Sequence, residues 1–132
     1  MMAVHVAGAV QSQVYALLTG DAQLMALLSA VYDHVPDNAA YPYVAIGQDF
    51  FDDFGAHDVD GFSGFIEMHT WTQAEGRKTC KAIQDRLHQL MHDHDLGLVE
   101  HKTLSLRGGL FETMLDPDGR TYHGVNRFNF LL

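Results

Sequence analysis

FIEMHTWTQAEGRKTCKAIQDRLHQLM, residues 65–91, changes its hydrophobic period partway along, and that change decides the fold. Phe65 to Trp71 alternates, with Ile66 and Met68 on one face and Phe65, Glu67, His69 and Trp71 on the other, which is a strand. Thr72 to Glu75 supplies a helix start signal. Cys80, Ile83, Leu87, Leu90 and Met91 then fall at steps of three or four, while Arg77, Lys78, Lys81, Gln84, Asp85 and Gln89 fill the other faces. Ala74 to Met91 is therefore predicted to be an amphipathic helix, with Gly97 just past its end.

Upstream, Tyr43 to Phe50 alternates around Val44 and Ile46 and reads as a second strand. Between the two strands, Phe50 to Gly64 (FFDDFGAHDVDGFSG) has no period of either kind, so a long connection is expected there. Long loops of this type more often carry function than not. Further upstream, Val6, Ala9, Val10, Val14, Leu17 and Leu18 mark one helix over Val6 to Leu18. Gly20 and Asp21 punctuate the chain, and Leu24, Met25, Leu27 and Leu28 make a second short helical segment ending near Ser29. Val31 to Tyr41 reads as an edge segment that passes into a loop at Pro36, Asp37 and Asn38.

Downstream, Leu98 to Leu115 and Arg120 to Leu131 flank Asp116-Pro117-Asp118-Gly119, a type I turn signal that predicts a terminal hairpin. The alternation changes parity between Leu106 and Phe111, and Gly108-Gly109 is the natural place for a β-bulge. Helix, hairpin, helix, hairpin predicts an α+β fold: a four-stranded antiparallel sheet with two main helices packed on one face. At 132 residues the chain is one domain's worth, 1–132.

A composition of 47% hydrophobic and 19% charged residues is too apolar for disorder, and no apolar run is long enough to span a membrane. Met1 to Ala9 carries no basic residue ahead of its apolar ones, so no signal peptide and a cytoplasmic site of synthesis are expected. The single cysteine, Cys80, cannot form an internal disulfide and sits on the apolar helix face, where a thiol behaves as a small hydrophobe. A net charge of −9 repels phosphate backbones, which argues against sequence-specific nucleic-acid binding.

Few residue patterns point to chemistry. There is no nucleophile elbow, phosphate loop or dinucleotide fingerprint, so neither catalysis nor a cofactor is expected. His88, His92 and Asp95 stand at i, i+4 and i+7 of the second helix, a spacing that permits a small metal-binding or ligand-binding site, though a solvated surface cluster is the plainer reading. The acids Asp49, Asp52, Asp53, Asp58 and Asp60 lack the fixed spacing of a calcium loop and read as solvated. Phe50, Phe51, Phe54 and Phe62 lie among these acids, and aromatics ringed by polar residues characterise protein interfaces. Phe51, Asp52, Asp53, Phe54, Asp58 and Asp60 are therefore the candidate interface residues.

Three stretches taken together, VYDHVPDNAAYPYVAIG (31–47), HTWTQAEGRK (69–78) and DPDGRTYHGVNRF (116–128), resemble the small tail-completion proteins of long-tailed phages, prophages and gene transfer agents, formerly a domain of unknown function. Members of that family are similar to the tail terminator of phage lambda. The resemblance implies an α+β subunit that sits as a six-membered ring on the last ring of the tail tube, ends its growth and offers a surface to the head connector. Its partners would be further copies of itself, the major tail tube protein and the head–tail connector or stopper, with DNA passing through the ring and no membrane involved. Its place would be the neck region of the virion tail, after synthesis in the bacterial cytoplasm. A head–tail adaptor or stopper of the neck is the neighbouring alternative.

Overall fold

A computed structural model describes residues 6–55, 61–74, 76–99 and 101–132. Two helices lead, α1 (Val6–Thr19) and α2 (Ala22–Met25), followed by strands β1 (Ala30–Tyr32), β2 (Tyr43–Asp53) and β3 (Phe62–Thr72), helix α3 (Lys78–Met91), and strands β4 (Ser105–Leu115) and β5 (Tyr122–Leu131). The class is α+β as expected, but the sheet has five strands in the order β1-β2-β3-β5-β4 and is mixed. The four-stranded antiparallel expectation missed β1, which pairs in parallel with β2 through Ala30↔Tyr43, Val31↔Val44 and Tyr32↔Ala45. Parallel neighbours need a return connection of about a dozen residues, and the turn-rich segment read as an edge and loop supplies it. A three-residue strand is too short to declare itself by alternation.

The connection expected over Phe50 to Gly64 is also shorter than the sequence suggested. β2 runs on to Asp53, and β3 begins at Phe62, eleven residues in each strand. A register shift between Ile46 and Asp49 exchanges the faces of β2, so Phe51 rather than Phe50 points toward the helices. That exchange hid the period. The expected bulge in β4 is present, between Gly108 and Leu110. The hairpin turn closes with Gly119 N–H donating to the Asp116 carbonyl at 3.0 Å, and Gly119 takes the positive φ of 73° that completes such turns.

The core lies between the helices and one face of the sheet. Val6, Val10, Val14 and Leu18 of α1 and Cys80, Ile83, Leu87 and Met91 of α3 meet Val44, Ile46, Ile66, Met68, Leu106, Phe128 and Phe130, all buried. Gly124 on β5 lets α3 approach closely, since a Cβ there would lie 2.8 Å from Cys80 Sγ. Gln84 then closes the seam: its Nε2 donates to the Glu112 and Val125 carbonyls at 2.9 and 3.3 Å, and its Oε1 accepts from Thr113 Oγ1 at 2.8 Å. At the other end of the layer Asp21 caps α2 through Leu24 N–H at 2.8 Å and takes a fork of two bonds from Arg86 of α3 at 2.8 and 2.9 Å. The Arg86 guanidinium holds the Asp21 carboxyl below the usual carboxylate range.

Candidate interaction surfaces

The β2–β3 hairpin tip carries the residues singled out from the sequence. Phe54 is 49% exposed; its N–H donates to the Gly61 carbonyl at 3.0 Å and its ring lies over the bare Gly61 backbone. Asp52 and Asp53 are exposed, and Asp53 Oδ1 accepts from Gly55 N–H at 2.8 Å. Phe51 differs from expectation: the register shift turns it inward, where its ring centroid lies 4.9 Å from Phe130 and 6.5 Å from Phe62. It supports the tip from beneath, while Phe50, 51% exposed and stacked on Phe65 at 5.9 Å, is the ring presented outward. Asp58 and Asp60 lie outside the described residues.

The sheet face turned away from the helices holds a continuous array that sequence reading did not single out. The Trp71 and His123 rings stack at 3.8 Å, His123 Nε2 meets His69 Nδ1 at 2.7 Å, and His69 Nε2 meets Glu67 Oε1 at 3.2 Å. Arg127 donates to Glu67 Oε2 from both Nε and Nη2, at 2.9 and 2.6 Å, and its guanidinium lies 4.1 Å from the centre of the Phe65 ring. Burial, with the His69 ring beside it, lowers the His123 pKa. The signal was visible as the odd-numbered set Phe65, Glu67, His69 and Trp71, but its partners on β5 come from register, which a single strand does not reveal.

A third surface follows β4, an edge strand paired on one side only. Leu110, Phe111 and Leu115 are 40%, 49% and 46% exposed there. Between β4 and α3 runs a groove of about 540 Å³ lined by Arg77, Lys81, Gln84, Asp85, His88, Phe111 and Thr113.

The metal alternative loses its geometry. α3 ends at Met91 with His92 as its C-cap, so Asp95 leaves the helix face and instead accepts from Gly97 N–H at 2.9 Å. His88 and His92 do stack at 4.6 Å, yet His92 Nδ1 is taken by the Gly108 N–H at 3.1 Å. Among the described residues no group of three or more His, Cys, Asp or Glu could hold a metal ion. Cys80 is buried, and burial pushes its thiol up to about 11, so it is an inert core residue.

The described residues therefore form a small α+β fold with an aromatic and acidic tip, an open sheet face and an apolar edge. A family model, tail completion protein gp17, matches residues 12–132, and the chain belongs to that family. Its role is structural, in completing a virion tail, and it is not an enzyme. Among solved structures, a chain from the virion of a native gene transfer agent particle superposes with a TM-score of 0.88 at 27% identity, covering 98% of each chain. The gp17 protein of bacteriophage SPP1 shares the fold, with a TM-score of 0.68 at 21% identity over 95% of this chain and 89% of that one. No curated protein sequence matches this chain.

Proposed function

We propose that the chain ends growth of the tail tube by assembling on it as a ring of six copies, and that the ring's far side receives the head connector. The observation that carries this reading is the separation of the exposed apolar groups: Phe50 and Phe54 at the β2–β3 tip, Leu110, Phe111 and Leu115 at the β4 edge. Two unlike patches at opposite parts of one subunit make heterologous contacts, which propagate around a ring when the rotation closes. A ring that matches the tube on one side only then ends the repeat for geometric reasons. The likeness over the whole chain to a component of a virion particle supports the same reading.

In this arrangement the region of Phe51, Asp52, Asp53, Phe54, Asp58 and Asp60 makes subunit or tube contacts. Acidic groups at the rim keep passing DNA from adhering, in keeping with the net charge of −9. Light scattering coupled to size exclusion, over a range of concentrations and with purified tail tubes, tests the proposal. A hexamer, or a monomer recruited to tube ends as a terminal ring, supports it. A chain that ignores tubes but binds the connector belongs to an adaptor or stopper, and one that ignores both refutes the capping role.

A further inference from the structure

The array on the open sheet face contains a hydrogen-bonded chain whose protons can be counted. Glu67 Oε2 takes two N–H groups from Arg127, at 2.9 and 2.6 Å, so Glu67 is an ionised carboxylate that can only accept. Its Oε1 lies 3.2 Å from His69 Nε2, which therefore carries a hydrogen. In a neutral His69 ring that leaves Nδ1 bare, and Nδ1 is the atom that meets His123 Nε2 at 2.7 Å. One hydrogen lies in this contact, and His123 supplies it. Trp71, stacked on His123 at 3.8 Å, closes the far end.

One proton added to the two imidazoles fits this chain, and a second does not. With one, either ring becomes an imidazolium, the 2.7 Å contact still holds a single hydrogen, and the Glu67 carboxylate balances the charge. With two, both facing nitrogens carry hydrogen and both rings carry charge, so N–H points at N–H where a hydrogen bond had been. His69 is hemmed in, held by Glu67 on one side and lying against the bare Gly47 backbone of β2, where a Cβ would collide with the ring. Among the described residues β2 brings no charge to the pair: Ala45 stands opposite His69, and Tyr43, opposite Trp71, is a phenol whose burial raises its pKa. β4 places Met114 opposite His123 and Glu112 opposite Val125, and the carboxylates of Glu112 and of Asp116 just beyond favour a charged His123. Burial outweighs them and, with the His69 ring, holds His123 below its ordinary value.

We propose that Glu67, His69 and His123 form one proton-operated switch on the open sheet face, which takes up a first proton with its hydrogen bonds intact and parts at the His69–His123 contact on taking up a second. Groups coupled in this way titrate as a pair, in two macroscopic steps about one pH unit or more apart. Between the steps the face carries one added positive charge; below the lower step the side-chain link from β3 to β5 at this point is lost. The switch belongs to the single subunit and does not depend on the ring.

Nuclear magnetic resonance of the histidine rings, followed from about pH 8 to about pH 4, tests it. His123 is identified by its contact with Trp71, the chain's single tryptophan, and His69 by its contact with His123. Both rings are expected to respond in both steps, and the through-space contact between them is expected to vanish in the lower one. In His69→Gln, His123 should titrate in one step, at a higher pH than the lower step of the wild type. In Glu67→Gln the upper step should move down by about one pH unit, because the charge that stabilises the first imidazolium is gone. Circular dichroism checks that each variant is folded, and where one is not, the wild-type titration decides. Two rings that titrate independently, or that stay in contact through both steps, overturn the proposal, as does a folded His69→Gln chain in which His123 titrates as before.

Discussion

The two faces of this sheet are held by different physics. On the helix side, Ile66, Met68, Phe128 and Phe130 are removed from water by α1 and α3, and the energy is that of apolar burial. On the open side no helix packs among the described elements, and Trp71, His123, His69, Glu67, Arg127 and Phe65 hold one another by stacking, ion pairing and a cation over a ring. The first face makes the subunit. The second, with the tip and the edge that border it, is left uncovered among the described elements.

That contrast has consequences in order of size. Phe128→Ala, which empties a fully buried site, is expected to cost about 3–5 kcal/mol in chemical denaturation. Glu67→Ala on the open face should cost about 1–3 kcal/mol, because it strands Arg127 on a face that water still reaches. Equal losses at the two positions would break the comparison. Asp21→Ala removes both the α2 cap and the Arg86 fork and is expected to cost about 2 kcal/mol.

Smaller effects sharpen the contrast. His123 is held below its ordinary value of 6.5 because burial disfavours its charged form. The unfolded chain therefore binds a proton there before the folded one does, so the stability tied to this group is complete above about pH 6.5 and declines as pH falls toward the lower folded-state value. His123→Gln should flatten that part of a pH–stability curve, read by thermal unfolding. Phe54→Ser at the exposed tip should leave stability within about 0.5 kcal/mol yet prevent recruitment to tail tubes, read by co-sedimentation.

What the sequence made legible follows from how local each signal is. The periods of Phe65 to Trp71 and of Cys80 to Met91 lie in their own residues, so the cores of β3 and α3 were legible, while Phe62 to Gly64 was read as loop and the helix, expected from Ala74, starts at Lys78. The Asp116–Gly119 turn and the Gly108 bulge announce themselves through Pro and Gly. β1 was missed because three residues have no period and its partner lies beyond a long return. Phe51 was read as part of a long connection because the shift between Ile46 and Asp49, which turns it inward in β2, is set by pairing with β3 and not by β2 alone. The open-face array was half legible: β3 displayed its members, and only the register with β5 brought His123 and Arg127 beside them.

The central claim is that this chain stops a tail tube. Purified tube protein polymerised with and without the chain, with lengths and end occupancy measured by electron microscopy, addresses it directly. The predicted result is that tubes cease to lengthen once the chain is added and that each arrested end carries one six-copy ring. Tubes that keep growing at the same rate, with the chain absent from their ends, would contradict it.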